Sequence, residues 1–430
     1  MTSHSASASI GDGRRSGRQP PWGIVVVVCL LAVHMVAGVL ASSPGVGYDG
    51  AEYIRLGENL LAHGRFTYDG VNPVAGKPPG FPWLIAGYEK LTGGLDGFIY
   101  VQLLLLFSTY LIVATISRRF LGASWSLGLL GLLVLADPLR DLARLMLAEP
   151  LFLLLLSGGL LALVRMLETK RMMLCVVSGL LLGMSSYVRP VNFFWPLALL
   201  LLPFLFHGVR WRHVIAVAAI SILATAPWLV RNERDFGRFV PMVANWGPLY
   251  YMTDSTLWEQ HMLHGREAII NSQPFQEAMA GEFEFNWGPN ERYRQMALRN
   301  LETDKGIYLW RCARQAFFVW SFIPGTKGAR DDNPPLFFTG RILMLAFYVL
   351  VVLGAVRSWH EHSAAGLIMV LYAAYTAVLL FPVHTESRYL LPAYLLLLPL
   401  ALAGFRHFSF RLRKRRLTAV NHLPRVHQHE

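Results

Sequence analysis

The sequence predicts an all-α polytopic membrane protein, a bundle of about ten transmembrane helices. Hydrophobic residues make up 54% of the 430 residues and charged residues only 15%, which is too little charge to cover a soluble protein of this length. Apolar runs recur along the chain, and short basic turns separate them. The 39 Lys and Arg residues outnumber the 27 Asp and Glu residues, but they cluster in these turns and at the two ends. This distribution indicates membrane topology and argues against a nucleic-acid partner.

Several of the predicted spans are shorter than the roughly 20 residues that a straight crossing requires, so they must tilt or borrow flanking residues. A cleavable signal peptide is the alternative for the first run, because Val39, Leu40 and Ala41 form a tolerable cleavage site. That run is, however, longer than the apolar core of an ordinary signal peptide, about 7 to 15 residues. The candidate spans lie at 23–42, 97–116, 123–136, 150–164, 172–188, 191–206, 214–230, 337–356, 364–382 and 388–405.

The basic turns predict the orientation and the division of the chain. Positive residues between spans mark the cytoplasmic side, which places both chain ends inside and the first loop outside a cytoplasmic (inner) membrane. The Ser- and Gly-rich start is predicted to be a disordered tail. We therefore expect a cytoplasmic tail at 1–22, an N-terminal transmembrane module at 23–230 with an extracytoplasmic first loop at 43–96, an extracytoplasmic segment at 231–336, C-terminal helices at 337–405 and a basic cytoplasmic tail at 406–430.

The long polar segment at 231–336 contains no recognisable catalytic motif. Its stretch 308–323 is rich in Trp and Phe beside Arg311 and Arg314, a pattern typical of a helix that lies in the membrane interface. An eleventh span is the alternative, but it would put the basic C-terminal tail outside the cytoplasm. The three cysteines are scattered, so we expect neither a structural disulfide nor a cysteine metal cluster.

The first loop concentrates polar residues. Asp49 and Glu52 are three residues apart at the start of a predicted helix over 50–63, so both carboxylates lie on one side of it, where the helix dipole favours negative charge. Lys77 is followed by two prolines that stiffen the backbone around its ammonium group. The alternative is an ordinary solvated hairpin in which Asp49 only caps a helix.

Four further charged residues fall on the same predicted side of the membrane. Glu149 precedes Pro150 at the start of a span, and Arg189, Arg231 and Arg388 lie at span ends. Each has an ordinary explanation, since an acid stabilises a helix N-terminus and an arginine can snorkel to the interface. Together, however, they predict a site with carboxylates that accept a proton and cations that hold a lipid phosphate. A divalent metal bound through Asp49, Glu52, His63 or His384 is a further option, although their spacing is not diagnostic.

The order of short motifs along nearly the whole chain resembles glycosyltransferase family 39, whose members have the GT-C fold and include relatives of protein O-mannosyltransferases and of the lipid A aminoarabinose transferase. These motifs are Tyr48-Asp49 with Glu52-Tyr53, Gly64-Arg65-Phe66, Lys77-Pro78-Pro79-Gly80-Phe81-Pro82, Ala148-Glu149-Pro150-Leu151-Phe152, Val188-Arg189-Pro190, Pro227-Trp228-Leu229-Val230-Arg231-Asn232, Phe236-Gly237-Arg238-Phe239-Val240-Pro241 and Arg388-Tyr389.

The resemblance implies an inverting transfer of a sugar, hexose or pentose, from a polyprenyl-phosphate carrier to a cell-envelope acceptor on the outer face. Asp49 matches the family's catalytic base, and Lys77 matches a lysine that contacts the donor phosphate. Arg388 matches a late arginine near that phosphate, and Glu149 matches an acid that supports the acceptor or the site geometry. We expect Arg189 and Arg231 to add to the phosphate site, and the substrate-binding residues to be Tyr48, Glu52, Tyr53 and Tyr389.

One residue departs from the family pattern. Gly76 stands before Lys77 where some relatives have an acidic residue that can ligate a metal, so the resemblance leaves no certain cofactor. Lys77 and Arg388 could stabilise a departing phosphate without one. Two other functions stay open: a transporter or flippase of a lipid-linked anion, and a non-catalytic membrane scaffold. Transporters usually place polar residues at the bilayer midplane in repeated or broken helices, and the sequence has no evident internal repeat.

Overall fold

A computed structural model describes residues 21–40, 46–135, 137–206, 208–264, 271–279, 282–283, 285–320, 334–383 and 387–421. Residues 1–20 and 422–430 of the two predicted tails, and His384 among the metal-ligand candidates, lie outside these residues. The helices are α1 (Pro21–Leu40), α2 (Tyr48–His63), α3 (Gly80–Thr92), α4 (Phe98–Leu121), α5 (Ala123–Val134), α6 (Asp137–Arg144), α7 (Glu149–Thr169), α8 (Met172–Val188), α9 (Trp195–Ala198), α10 (Leu202–Leu205), α11 (Trp211–Phe236), α12 (Gly247–Thr253), α13 (Ser255–His264), α14 (Gln273–Met279), α15 (Trp287–Thr303), α16 (Lys305–Trp320), α17 (Pro334–His360), α18 (Ala364–Leu380) and α19 (Leu391–Asn421).

The predicted class, an all-α polytopic membrane protein, is confirmed. Within the described residues, six helices are long and apolar enough to cross a membrane, and they belong to α1, α4, α7, α11, α17 and α19. The four other predicted spans coincide with shorter apolar helices. One of these is interrupted: residues 190–205 form a series of short helical turns, because Pro196 and Pro203 lack the amide hydrogen that a continuous helix needs.

The spans run alternately up and down, which gives the bundle two distinct ends. At the upper end, α8 and α11 finish and α7 and α19 begin. The lower end holds the turns at Gly122, Lys170 and 361–363, together with many of the basic residues. Arg119 pairs with Glu168 there, and Arg406 Nη1 donates to the Leu121 carbonyl 2.5 Å away.

Close packing of α4, α7, α8 and α11 forms one wall of the bundle. α8 and α11 approach so tightly that a Cβ at Gly183 would lie 2.6 Å from the Ser221 carbonyl oxygen. Small residues at such crossings are typical of membrane helix pairs, since van der Waals packing drives their association. The fully buried side chains of Leu106, Leu156 and Leu400 belong to one core that links this wall to α19.

The first loop folds over the upper end instead of extending away from it. The predicted helix over 50–63 is confirmed as α2, and α3 lies against it. Between them, the strand-like residues at 74–76 pair with the later insert: the Ala75 and Gly76 amides donate to the Phe285 carbonyl at 2.9 Å, and the Ala244 amide donates to the Ala75 carbonyl at 2.7 Å. The insert therefore holds the backbone that carries Lys77.

The insert itself consists of the helices α12 to α16, and Trp320 at the end of α16 contacts Tyr348 of α17 and Tyr394 of α19. The aromatic stretch at 308–323 is predicted to form a helix. The helix that contains it, α16, begins earlier, at Lys305, and is described as far as Trp320. Arg311 is buried and donates to the carbonyls of Met252 and Thr253, so this helix packs on the rest of the insert. Its location in the interface or across the membrane stays a prediction.

Candidate active site

Four separate parts of the chain meet at the upper end of the bundle: the start of α2, the loop before α3, the junction of α7 with the end of α8, and the turn at Ser387–Leu390 before α19. The start of α2 brings four of the predicted site residues, and each of the other parts brings one or two. Because these residues lie at helix ends, their charged groups gather where the apolar spans stop.

Asp49 is held by two cations. Lys77 Nζ lies 2.9 Å from Asp49 Oδ1, and Arg388 Nη2 lies 2.6 Å from Asp49 Oδ2. The side chain of Asp49 is 14% exposed and that of Lys77 only 7%. The carboxylate thus lies between two positive groups. Any small anion in this position would be stabilised.

Lys77 has a second carboxylate partner and two aromatic neighbours. Glu52 Oε2 lies 2.7 Å from its Nζ. The ammonium group also lies 5.0 Å from the ring centroid of Tyr53 and 4.3 Å from that of Phe285. Rings at these distances attract a cation, and they also exclude water from it. The predicted grouping of Asp49 and Glu52 on one side of α2 is therefore present, with Lys77 between them.

A second ion pair lies beside the first. Glu149 is 2% exposed at the start of α7, and its Oε1 accepts a hydrogen bond from Arg189 Nη2. The ring of Tyr389 joins the two groups, since the guanidinium carbon of Arg189 lies 4.9 Å from its centroid and that of Arg388 lies 5.3 Å away. Three carboxylates and three cations thus form one connected cluster.

Two predicted residues stand apart from the centre of this cluster. Arg231 donates to the Val74 carbonyl at 3.2 Å and pairs with Asp235 at 2.7 Å, one helical turn further along α11. It therefore braces the loop that leads to Lys77. Tyr48, the first residue of α2, is 56% exposed and lies at the rim.

The cluster shifts the pKa values of its members. Burial alone would raise the pKa of Asp49, but the charges of Lys77 and Arg388 outweigh burial and hold it well below its ordinary value of 3.8. Burial would lower the pKa of Lys77, yet Asp49, Tyr53 and Glu52 raise it well above 10.5. Burial raises the pKa of Tyr53 to about 12, so its hydroxyl stays protonated. The arrangement can bind an anion, but Asp49 is a weak base while both cations hold it.

Phe285 is a site residue that the sequence did not reveal. It comes from the insert, more than 200 residues after Lys77, and no motif marks it. Its ring fills the space beside Gly76, where a Cβ would lie 2.7 Å from Phe285 Cδ1. An acidic residue at position 76 would therefore collide with this ring, which explains physically the departure noted in the sequence.

Tyr68 is a second residue that the sequence did not reveal. It is 3% exposed, and its hydroxyl has no hydrogen-bond partner among the described residues. Lys77 and Glu52 both act electrostatically on this hydroxyl, and burial raises its pKa well above 10. A tyrosine next to a predicted site loop is a weak sequence signal, since most buried tyrosines serve packing.

The metal-ligand candidates do not assemble within the described part of the chain. Among the described residues, no three or more His, Cys, Asp or Glu side chains lie close enough together to hold an ion. Asp49 and Glu52 are instead paired with cations.

No protein-family model matches the sequence, and no curated protein matches it. Solved structures do. Oligosaccharyltransferase AglB from Archaeoglobus fulgidus, in complex with an inhibitory peptide and a dolichol-phosphate, aligns over 93% of this chain with a TM-score of 0.54 and 12% identity. An A. fulgidus oligosaccharyltransferase tethered with an acceptor peptide aligns over 89% of the chain and 49% of its own length, with a TM-score of 0.53 and 14% identity.

ArnT from Cupriavidus metallidurans bound to undecaprenyl phosphate aligns over 84% of this chain and 77% of its own, with a TM-score of 0.42 and 18% identity. The chain spans about half of AglB, 52% of its length. At such identities the likeness to the oligosaccharyltransferases concerns the fold. The chain is a multi-pass membrane protein with a GT-C-like fold, as the sequence resemblance predicts.

Proposed function

We propose that this chain is a membrane glycosyltransferase that moves a sugar from a polyprenyl-phosphate carrier to a cell-envelope glycan, lipid or protein. The observation that carries the proposal is the convergence of Lys77 and Arg388 on Asp49 where the spans end. A lipid phosphate whose chain stays in the bilayer has its charged group at this depth. AglB, which shares the fold, is described with a dolichol-phosphate, a lipid phosphate of the same chemical class.

In this proposal the donor phosphate takes the place of Asp49 on the two cations. The formal charges of the cluster balance without a substrate, because three carboxylates meet three cations. A phosphate adds negative charge, so it binds best when Lys77 and Arg388 turn from the carboxylate to the phosphate oxygens. Asp49 then loses its counter-charges, and its pKa rises toward the range in which a carboxylate accepts a proton. Donor binding thus also activates the base.

The transfer step follows from that arrangement. The acceptor hydroxyl oxygen attacks the anomeric carbon opposite the phosphate, so the configuration inverts. The bond between this carbon and the phosphate oxygen breaks, and its electron pair leaves with polyprenyl phosphate. The hydroxyl proton passes to Asp49. General base catalysis of this kind accelerates a reaction by about 10² to 10⁴. Lys77 and Arg388 stabilise the departing charge, a contribution of several kcal/mol in a preorganised site.

The second ion pair supports the first. Glu149 fixes the guanidinium of Arg189, which lies over the Tyr389 ring beside Arg388. We assign Arg189 a third positive charge for the donor phosphate, Glu149 the task of orienting it, and Arg231 the task of bracing the Lys77 loop. Glu52, Tyr53, Tyr48 and Tyr389 line the approach to the sugar.

The upper end faces the periplasm or cell exterior in this proposal, and the membrane is the cytoplasmic (inner) one. The support is the basic character of the lower end, since positive turns stay in the cytoplasm. A transporter of a lipid-linked anion is the competing function. It gains less support, because the charged cluster lies at the ends of the helices and transporter sites lie near the midplane.

The test is a reaction with purified protein in detergent and a panel of polyprenyl-phosphate hexoses and pentoses. Release of polyprenyl phosphate together with sugar transfer is the expected result, and the panel then identifies the sugar. Tight binding of polyprenyl phosphate with no turnover of any donor would instead favour transport.

A further inference from the structure

A charged cleft lies at the lower end of the bundle, at the opposite end of the spans from the candidate active site. It is a cleft of about 820 Å³ between α17, α19 and the start of α5.

The cleft exists because α17 and α19 cross and then separate. At the crossing, a Cβ at Gly354 would lie 2.0 Å from the Leu400 carbonyl oxygen, and a Cβ at Gly404 would lie 2.1 Å from the Leu350 carbonyl oxygen. Only glycine permits such a close backbone approach. Arg357 and Arg406 both follow the crossing in sequence, so they line the space that opens below it.

Cationic groups dominate the polar part of the cleft. Arg357 and Arg406 contribute two positive charges, His360 and His407 contribute imidazole donors, and Glu361 is the one carboxylate among the lining residues. Arg357 Nε donates to Glu361 at 2.7 Å. Arg406 Nη1 donates to the Leu121 carbonyl at the end of α4, which orients its guanidinium without neutralising it.

The walls change from apolar to charged along the direction of the helices. Leu353 and Val356 precede Arg357 and His360 on α17, so the part of the cleft nearer the bilayer centre is apolar and the part nearer the membrane surface is basic. Trp125 stands at the edge, as aromatic residues do at membrane interfaces. This change in polarity along the cleft matches a lipid that has an anionic headgroup and acyl chains buried in the bilayer.

We propose that the cleft binds the headgroup of an anionic phospholipid, such as phosphatidylglycerol, from the leaflet at the lower end. Arg357 and Arg406 hold the phosphate, His360 and His407 donate to its oxygens or to the glycerol, and the acyl chains pass along Leu353 and Val356. The site does not depend on the glycosyltransferase proposal.

Native mass spectrometry of the full-length protein, released from micelles with equal phosphatidylglycerol and phosphatidylcholine, tests this site. Wild type should retain phosphatidylglycerol in preference. Arg357→Gln and Arg406→Gln should each weaken retention about fivefold, the effect of one surface cation on an anionic lipid. The matched control is Arg212→Gln, which removes an exposed arginine from the same end but outside the cleft.

Arg406→Gln also removes a bond to α4, so Arg357→Gln is the variant that keeps the test valid if the other fails to fold. Equal retention of the two lipids by wild type would overturn the proposal, as would an equal loss of lipid in Arg212→Gln and Arg357→Gln. Displacement of the retained lipid by soluble glycerol phosphate at the same concentration would overturn it too, because the chains would then contribute nothing.

Discussion

Lys77 Nζ lies 2.9 Å from Asp49 Oδ1, although 28 residues separate the two along the chain. Both side chains are largely buried, so each charge depends on the other for its stability. In the proposed function, the same pair that stabilises the folded loop must open when a donor phosphate takes the carboxylate's place. Substitutions in this pair should therefore change both the stability of the protein and its binding of the donor, and the two effects can be measured separately.

Lys77→Gln should weaken binding of polyprenyl phosphate about tenfold or more, because a charge-assisted contact to phosphate is lost. It should also lower the free energy of unfolding by about 3 kcal/mol, since Asp49 and Glu52 lose a buried partner. Binding is measured by competition with a labelled polyprenyl phosphate, and stability by thermal unfolding in detergent. Lys90→Gln, at an exposed position on α3, is the control. Unchanged phosphate affinity in Lys77→Gln would remove this residue from the donor site.

Gly76→Ala should destabilise the protein by roughly 1 to 3 kcal/mol and reduce turnover, because the new Cβ meets Phe285 beside Lys77. Phe285→Ala removes a buried ring and costs stability by itself, but in that background the added cost of Gly76→Ala should be smaller, since the ring supplies the closest contact. The backbone of Phe285, 3.0 Å from the new Cβ, limits this reduction.

Gly87→Ala provides the matched control for that change. It lies in α3 with nothing within 4 Å of a new Cβ, so alanine should be neutral or should stabilise the helix by up to about 1 kcal/mol. If Gly76→Ala were as harmless as Gly87→Ala, that result would contradict the close packing of Phe285 against the loop that carries Lys77.

The lowered pKa of Asp49 predicts how stability depends on pH. Its folded pKa lies below the ordinary value of 3.8, so its contribution is fully present above that value and is lost as the pH falls further. For wild type, thermal unfolding should show this contribution, on the order of 2 kcal/mol, disappearing below about pH 4. Asp49→Asn lacks it, so its unfolding temperature should fall less over the same acid range. Parallel acid curves for wild type and Asp49→Asn would contradict the ion-pair assignment.

Tyr68→Phe should leave stability nearly unchanged, because the lost hydroxyl has no partner among the described residues. If that hydroxyl meets the substrate, the same change should raise KM or lower kcat about tenfold, the value of one hydrogen bond in a dry site. Tyr110→Phe is the matched control, since its buried hydroxyl is equally unpartnered within the described ranges but belongs to α4. A kinetic effect of equal size in both variants would indicate a general packing effect.

The spans could be predicted because apolar length is a local property, and the carboxylates of α2 because helical spacing places them together. The convergence of Asp49, Lys77 and Arg388 followed from the predicted topology, which put all three at one membrane surface. The roles assigned to these residues stay predictions.

Other features were out of reach of the sequence for physical reasons. Arg231 shares the same surface, but Asp235, one turn later on α11, and the Val74 carbonyl already hold it. Phe285 reaches Lys77 only because Val74 pairs with Asn286 across more than 200 residues, a contact that no local pattern encodes.

The most direct test of the central claim compares sugar transfer by wild type, Asp49→Asn and Glu58→Gln with a saturating polyprenyl-phosphate sugar. Glu58 is an exposed acid on the same helix, so its substitution should change the rate by no more than about twofold. Asp49→Asn should lower kcat by at least about 10², while polyprenyl phosphate still binds. An Asp49→Asn enzyme that turns over near the wild-type rate would contradict the assignment of Asp49 as the base.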